Sequence, residues 1–222
     1  MVIVTLALLL VSILKALCFM PKRRPQNRTS GRTSSKSDAG VVRIIAGQYR
    51  GRRLPVLSVD GLRPTGDRVR ETVFNWLQND VPGARCLDAF AGTGALGFEA
   101  ASRYAETVTL VESDVAAAQA LEKSQTLMGA SSVDVVNQSF EAFVATMPAP
   151  FDLVFVDPPF QCTDYTAVLA AVESVLSPNG LVYIECPKTM PEADAELPAA
   201  WSVRRDKNFG DVRARLCGRL ES

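Results

Sequence analysis

Asp88-Ala-Phe-Ala-Gly-Thr-Gly-Ala-Leu-Gly97 is the stretch on which the fold turns. An apolar run, 84–89, leads into it, and a helix-like segment from Leu96 to Tyr104 leads out. Strand, glycine turn and helix together aim backbone N–H groups and a helix N-terminus at a nucleotide-like ligand. Working outward, strands are expected at 84–89, 107–112, 133–136, 151–156 and 181–186, and helices at 95–104, 114–129, 139–146 and 164–176. That alternation predicts a parallel sheet with helices on both faces. Two further strands, 201–207 and 212–220, flank Asn208-Phe-Gly-Asp211, a hairpin signal that makes the last strand antiparallel to its neighbour.

The 222 residues suffice for one domain with attachments, and a 47% apolar content supports a real core. The formal net charge is zero but unevenly spread. Residues 21–70 hold thirteen Lys/Arg against Asp38, Asp60 and Asp67, which leaves +10 there and −10 on the rest of the chain. An anionic partner on the N-terminal side is the expectation. The five cysteines include no C-x-x-C pair and read as small buried hydrophobes in a reducing compartment. The chain has no histidine, which removes His-based triads, proton shuttles and metal sites.

The first twenty residues are apolar but interrupted at Lys15. They are too short and broken for a transmembrane helix, and their charge follows the apolar run, opposite to a signal peptide. The favoured reading takes Met20 as the true start; a membrane anchor and a signal peptide are the alternatives. Pro21 to Gly40 is Ser/Thr/Arg-rich and expected to be disordered without a partner. Val41–Ala46 and Arg52–Val56 then form a hairpin carrying Arg43, Arg50, Arg52, Arg53 and Tyr49, charge for phosphates with one stacking surface. Leu62–Gly66 is a turn. Asp67 or Thr65 would cap a helix from Arg68 to Asn79 whose apolar face is Val69, Val73, Trp76 and Leu77. Arg63, Arg68 and Arg70 crowd the start of that helix against its dipole, a placement that suggests function.

Gly92, Gly94 and Gly97 fit the G-x-G-x-x-G fingerprint with an acid, Glu112, about where a dinucleotide site wants one, so a NAD-dependent oxidoreductase is one reading. Asp88 argues the other way. A carboxylate at the strand end repels a pyrophosphate but welcomes a ligand bearing an amino-acid cation, such as S-adenosylmethionine. Glu112 would then accept from the ribose hydroxyls, and Ser139-Phe140 would lie beside the adenine; a helix cap and a core ring are the plain alternatives for that pair. Asp157-Pro158-Pro159-Phe160 follows the strand 151–156. Two prolines fix the backbone and remove two N–H donors, leaving Asp157 and the Pro158 carbonyl as paired acceptors for an exocyclic amino group. Held so, the nitrogen lone pair is freed for in-line attack on a methyl group, and Phe160 can stack on the base.

Arg43-Ile-Ile-Ala-Gly47, Arg50-Gly-Arg-Arg-Leu54, Leu62-Arg-Pro-Thr65, Asp67–Leu77, the glycine turn and Asp157–Phe160 together resemble the RsmD family of ribosomal RNA methyltransferases over roughly residues 41–220. The resemblance implies a Rossmann-like α/β fold: a seven-stranded S-adenosylmethionine-dependent methyltransferase sheet with a basic N-terminal β-hairpin extension. It implies methylation of one guanine N2 in small-subunit rRNA, within the assembled or partly assembled 30S particle. Asp88, Gly92, Gly94, Glu112, Ser139 and Phe140 match cofactor positions, and Asp157, Pro158, Pro159 and Phe160 match the catalytic motif. Arg63 to Arg70 resembles the family's loop over the active site. The basic set Arg43, Arg50, Arg52, Arg53, Arg63 and Arg68 is expected to meet RNA. No metal and no membrane partner are expected, and the chain should be a cytoplasmic monomer. Its parts are then a leader and basic tail (1–40), an RNA-facing hairpin and helix (41–80) and the methyltransferase domain (81–222). An adenine-N6 or cytosine-N4 methyltransferase acting on DNA or another RNA is the alternative within this chemistry, since the acceptor motif does not name its base.

Overall fold

The structure, a computed structural model, describes residues 41–55, 66–146, 148–159, 164–190 and 197–220. All of them lie within one compact unit, Ala39–Ser222. In chain order they form β1 (Val41–Arg43), β2 (Arg53–Pro55), α1 (Asp67–Trp76), β3 (Arg85–Asp88), α2 (Ala95–Ser102), β4 (Thr107–Glu112) and α3 (Val115–Met128). Then follow β5 (Val133–Asn137), α4 (Phe140–Ala145), β6 (Phe151–Val156), α5 (Tyr165–Val175), β7 (Leu176–Pro187), β8 (Trp201–Phe209) and β9 (Val212–Arg219).

Strands β3 to β9 make one seven-stranded sheet in the order β5-β4-β3-β6-β7-β9-β8. The first five are parallel, while β9 runs antiparallel between β7 and β8. The order reverses between β3 and β6, and such a switch point opens a crevice at the carboxyl ends of the strands. Alternate residues on each strand enter opposite cores. Cys86, Leu153, Phe155, Leu181 and Tyr183 join α1, α2 and α3 on one face. Leu87, Val154, Val156, Val182 and Ile184 join α4 and α5 on the other. Both faces are covered, which is why these strands read as continuous apolar runs in the sequence. No helix among the described residues is long and apolar enough to cross a membrane.

Differences from the sequence expectation are local. Helix α1 stops at Trp76 instead of Asn79, and its N-cap is Gly66, with no side-chain cap bond. Asp67 turns instead to Arg70, at 2.6 Å. Arg70 is fully buried and also donates to the Arg43 carbonyl at 2.9 Å, so it fastens β1 to α1 and does not face a substrate. Phe74, missing from the expected apolar face, is fully buried with its ring 5.8 Å from that of Phe155. Strand β7 begins at Leu176, five residues early. Between the pairs Phe151–Leu176 and Leu153–Leu181, β6 advances two positions while β7 advances five, so β7 carries a bulge. Cys86, Cys186 and Cys217 are buried free thiols. Burial pushes Cys86 and Cys217 up to about 12, where they are inert.

Candidate active site

The glycine turn leaves β3 through Asp88 and enters α2 at Gly94. Gly92 and Gly94 take positive φ, +51° and +75°, a conformation that costs other L-residues roughly 1 kcal/mol or more. A Cβ on Gly94 would lie 2.6 Å from the Phe98 ring and 2.7 Å from Leu121, and one on Gly97 would lie 2.1 Å from Leu110. The first glycines therefore bend the chain, and the last lets α2 settle on β4.

Two carboxylates fix the turn. Asp88, 1% exposed, accepts from the Gly97 N–H at 2.9 Å. Burial lifts its carboxyl to about 7, the charges of Asp157 and Glu112 push the same way, and the Gly97 N–H partly offsets them. Glu112, at the end of the next strand, accepts from the Gly92 N–H and the Asp114 N–H, both at 2.8 Å. Three acids from three adjacent strand ends, β4, β3 and β6, thus share one electrostatic neighbourhood, which favours a cation. Among the described residues, no group of three His, Cys, Asp or Glu is placed to hold a metal ion.

Ser139 and Phe140 lie where β5 hands over to α4. Ser139 is the N-cap and accepts from the Ala142 N–H at 3.2 Å. Phe140 is buried, its ring 5.5 Å from that of Phe90, which is half-buried beside the glycine turn. Phe90 is thus the more accessible aromatic at this edge, and the sequence reading did not single it out. Nor did it single out Asn137, which donates to the Glu112 carbonyl at 2.8 Å and steadies that strand end.

On the other side of the switch point, Asp157 is half-buried, Pro158 buried and Pro159 exposed. Phe160 lies outside the described residues, as does Arg63. Next to this turn, on β7, the Glu185 carboxylate accepts from the Tyr183 hydroxyl at 2.8 Å.

Arg43, Arg50, Arg52, Arg53 and Arg68 are exposed, and none of them pairs with an acid among the described residues. Tyr49 is half-buried and packs against the α1–α2 core, so much of its expected stacking surface is already used. Helix α2 holds the β1–β2 connection. Buried Glu99 accepts from the Ile45 N–H (2.7 Å), the Ala46 N–H (3.0 Å) and Arg103 Nε (2.8 Å). Ser102 Oγ accepts from the Tyr49 N–H at 2.9 Å, and the Ser102 carbonyl from the Gln48 N–H at 2.8 Å. A Cβ on Gly47, at φ +80°, would sit 1.8 Å from that carbonyl, so only glycine fits. The helix that opens at the glycine turn therefore carries the basic hairpin at its other end. Glu99 and Ser102 were legible only as two polar residues, three apart, on an otherwise apolar helix, which places them on one face.

The family described as Conserved hypothetical protein 95 matches residues 42–218. Ribosomal RNA small subunit methyltransferase D of Escherichia coli (strain K12) is 46% identical over 182 residues, covering 81% of this chain and 91% of that protein. The protein of the same name from Haemophilus influenzae (strain Rd) is 46% identical over 183 residues, covering 80% and 93%. Among solved structures, a candidate methyltransferase, yhhF, of Escherichia coli superposes with a TM-score of 0.73 at 44% identity, covering 82% of this chain and all of that one.

Proposed function

Because the chain belongs to the Conserved hypothetical protein 95 family, the family of ribosomal RNA small subunit methyltransferase D, we propose a division of labour among its residues for the reaction that membership brings. The chain is an S-adenosylmethionine-dependent rRNA methyltransferase, and the family makes a guanine N2 the acceptor. The dehydrogenase reading of the glycine turn is thereby set aside.

The residues present fit the cofactor. A carboxylate that burial and two neighbouring acids lift to about 7 is relieved by a cation, not by a pyrophosphate. S-adenosylmethionine supplies, when bound, a methyl group on positively charged sulfur. Gly92 and Gly94 shape the turn against it, and Asp88 faces its cationic end. Glu112 keeps the Gly92 N–H and offers its remaining lone pairs to the ribose hydroxyls. Ser139 and Phe140 bound the adenine edge, with Phe90 adding an aromatic face.

On the acceptor side, Asp157 and the Pro158 carbonyl hold the two N–H bonds of the guanine amino group, Pro159 fixes the turn and Phe160 stacks on the base. The hold draws the nitrogen away from ring conjugation, and Asp157 offsets the positive charge that develops there. Arg43, Arg50, Arg52, Arg53, Arg63 and Arg68 meet the phosphates. The substrate is rRNA in the 30S particle, met by a monomer in the cytoplasm. The observation that carries this assignment is the meeting of Asp88, Glu112 and Asp157 at three adjacent strand ends, one of them followed by two prolines.

The test is transfer of labelled methyl from S-adenosylmethionine to small subunits, with the RNA digested to nucleosides. N2-methylguanosine is expected. N6-methyladenosine, N4-methylcytidine or label in DNA would overturn the acceptor assignment.

A further inference from the structure

Strand β8 carries cations that the catalytic reading leaves unused. Residues 201–220 hold six Lys/Arg against Asp206 and Asp211, a net +4. The rest of the chain outside residues 21–70 then sums to −14, so the β8–β9 hairpin is a second basic island in an acidic body. The exposed cations of this island are Arg204, Arg205 and Lys207, all on β8, the edge strand of the sheet. None of the three pairs with an acid among the described residues.

Strand pairing gathers them on one face. Arg205 lies opposite Leu216 and Lys207 opposite Ala214, and directly paired residues share a face of the sheet. Leu216 and Ala214 belong to the core that also takes Val42 and Leu54 of the β1–β2 hairpin. By simple alternation Arg204 would point the other way. Val203 pairs with Cys217 and Arg205 with Leu216, however, so Arg204 is the extra residue of a bulge. Its guanidinium lies over Gly218, where a Cβ would come 2.7 Å from Arg204 Nε. Gly218 is two residues from Leu216 and faces the same way. Asp206, the acid within the row, pairs with Arg215 on the opposite face; it is held there by Arg213 at 2.6 Å and Arg215 at 3.6 Å. An open cleft of about 550 Å³ is lined by Ser202, Arg204, Arg205 and Arg219. Because β9 is antiparallel to both β7 and β8, β8 runs with the parallel strands and ends on the same side of the sheet as the crevice. Lys207 stands nearest that end, its Nζ 5.1 Å from the centre of the Phe209 ring.

We propose that β8 is a second rRNA contact: Arg204, Arg205 and Lys207 meet phosphates of the substrate RNA on the face of the sheet that carries the β1–β2 hairpin, outside the catalytic crevice. The proposal rests on rRNA being the substrate and not on which base is methylated. Arg205 and Lys207 stand about 7 Å apart along the strand, a spacing that lets them meet neighbouring phosphates of one RNA chain. Each phosphate so met releases condensed counterions, which is where the affinity arises. A bulge and charged side chains also blunt an edge strand against pairing with another chain. Charges of either sign, on either face, do that. Edge protection does not account for three cations gathered on one face with the intervening acid turned to the other.

The experiment measures binding of the full chain to protein-free small-subunit rRNA and to whole small subunits across a salt series. Arg204→Gln, Arg205→Gln and Lys207→Gln together should lower RNA affinity by about tenfold at moderate salt and reduce the slope of log K against log salt by about 2, at about 0.7 per phosphate. Arg205→Glu with Lys207→Glu keeps the edge charged and should lower affinity at least as far; this pair decides the matter if the triple variant does not fold. In methyl transfer the loss of kcat/KM should lie mainly in KM, the mark of binding lost equally from ground and transition states. Unchanged affinity and slope in a folded variant overturn the proposal. A variant that aggregates with its RNA affinity intact assigns the charges to edge protection and overturns it too. Weaker binding to whole subunits with unchanged binding to the bare RNA would place a ribosomal protein on β8 and likewise overturn it. A wild-type protein that binds neither would overturn the rRNA reading itself.

Discussion

The two turns that flank the switch point are built on opposite principles. At the end of β3 the glycine turn is rich in backbone N–H groups and satisfies them internally, Gly97 on Asp88 and Gly92 on Glu112. At the end of β6, Pro158 and Pro159 have no N–H to give, so the backbone offers carbonyl oxygen beside a carboxylate. In the first turn the Gly92 and Gly97 N–H groups are met before any ligand arrives, which pre-organises a cradle. The second brings a carboxylate and a proline carbonyl, both hydrogen-bond acceptors, to one strand end. A methyl donor with a cationic sulfur suits the first, and an amino group suits the second.

The largest effect expected from breaking this contrast is at Asp157. Asp157→Ala removes half of the paired acceptor while leaving the glycine turn untouched. We expect kcat to fall by about 10³-fold or more, as when an oriented electrostatic group is lost, with the Kd for S-adenosylmethionine within about threefold. Single-turnover assays and calorimetry on one preparation check both halves. Near-normal turnover would show that the prolines alone orient the amino group.

Neither turn is basic, so affinity for RNA has to come from elsewhere, and the contrast predicts where. Replacing Arg50, Arg52 and Arg53 together by Ala should weaken rRNA binding at moderate salt by about tenfold to a hundredfold. It should also reduce the slope of log K against log salt by about 2, since each phosphate no longer neutralised removes about 0.7. Filter binding across a salt series reads this directly. An unchanged slope would move the RNA-binding surface off the β1–β2 hairpin.

What could be read from the sequence follows from this contrast. Both turns announce themselves, because glycine at positive φ and proline without N–H are local requirements written in residue type. The parallel order of β3 to β7 was likewise legible, since both faces of each strand are covered and the runs are apolar throughout. Long-range partnership was not legible. Arg70 read with Arg63 and Arg68 as a functional basic cluster at the helix start, yet it is buried and binds the Arg43 carbonyl 27 positions away. Glu99 and Ser102 seemed ordinary helix residues, yet they seat a hairpin more than 50 positions upstream. The hairpin itself was visible, while its attachment to the helix of the glycine turn was not, because no local pattern encodes where a buried carboxylate finds its donors.

A smaller effect is expected at Asp88, and its sign can be worked out. The carboxyl sits near 3.8 when unfolded and about 7 in the fold. Between those values the folded state binds the extra proton. The contribution of Asp88 to stability is therefore full below about pH 4 and is lost as pH rises through about 7. The ligand-free protein should melt at lower temperature at pH 8 than at pH 6, and Asp88→Asn should remove this group's share of the difference. Cofactor affinity should move oppositely. The ionised form suits a cation, so affinity should rise by up to about tenfold per pH unit on approaching 7 and level off above it. A flat profile in the wild type would mean that Asp88 does not face the cationic end.

The smallest effect separates a residue that serves the chain from one that serves the ligand. Ser139 was read from sequence as part of the adenine edge, and in the fold its hydroxyl accepts from the Ala142 N–H as the N-cap of α4. If capping is its main work, Ser139→Ala should lower stability by about 1 kcal/mol and change the Kd for S-adenosylmethionine by less than about threefold. Ser139→Asp, which caps equally well, should restore the stability. The opposite pattern, unchanged melting with a tenfold loss of cofactor affinity that Asp cannot rescue, would place the hydroxyl on the adenine. It would also show that the glycine turn, for all its internal bonds, needs a hydrogen bond from the end of β5 to complete its cradle.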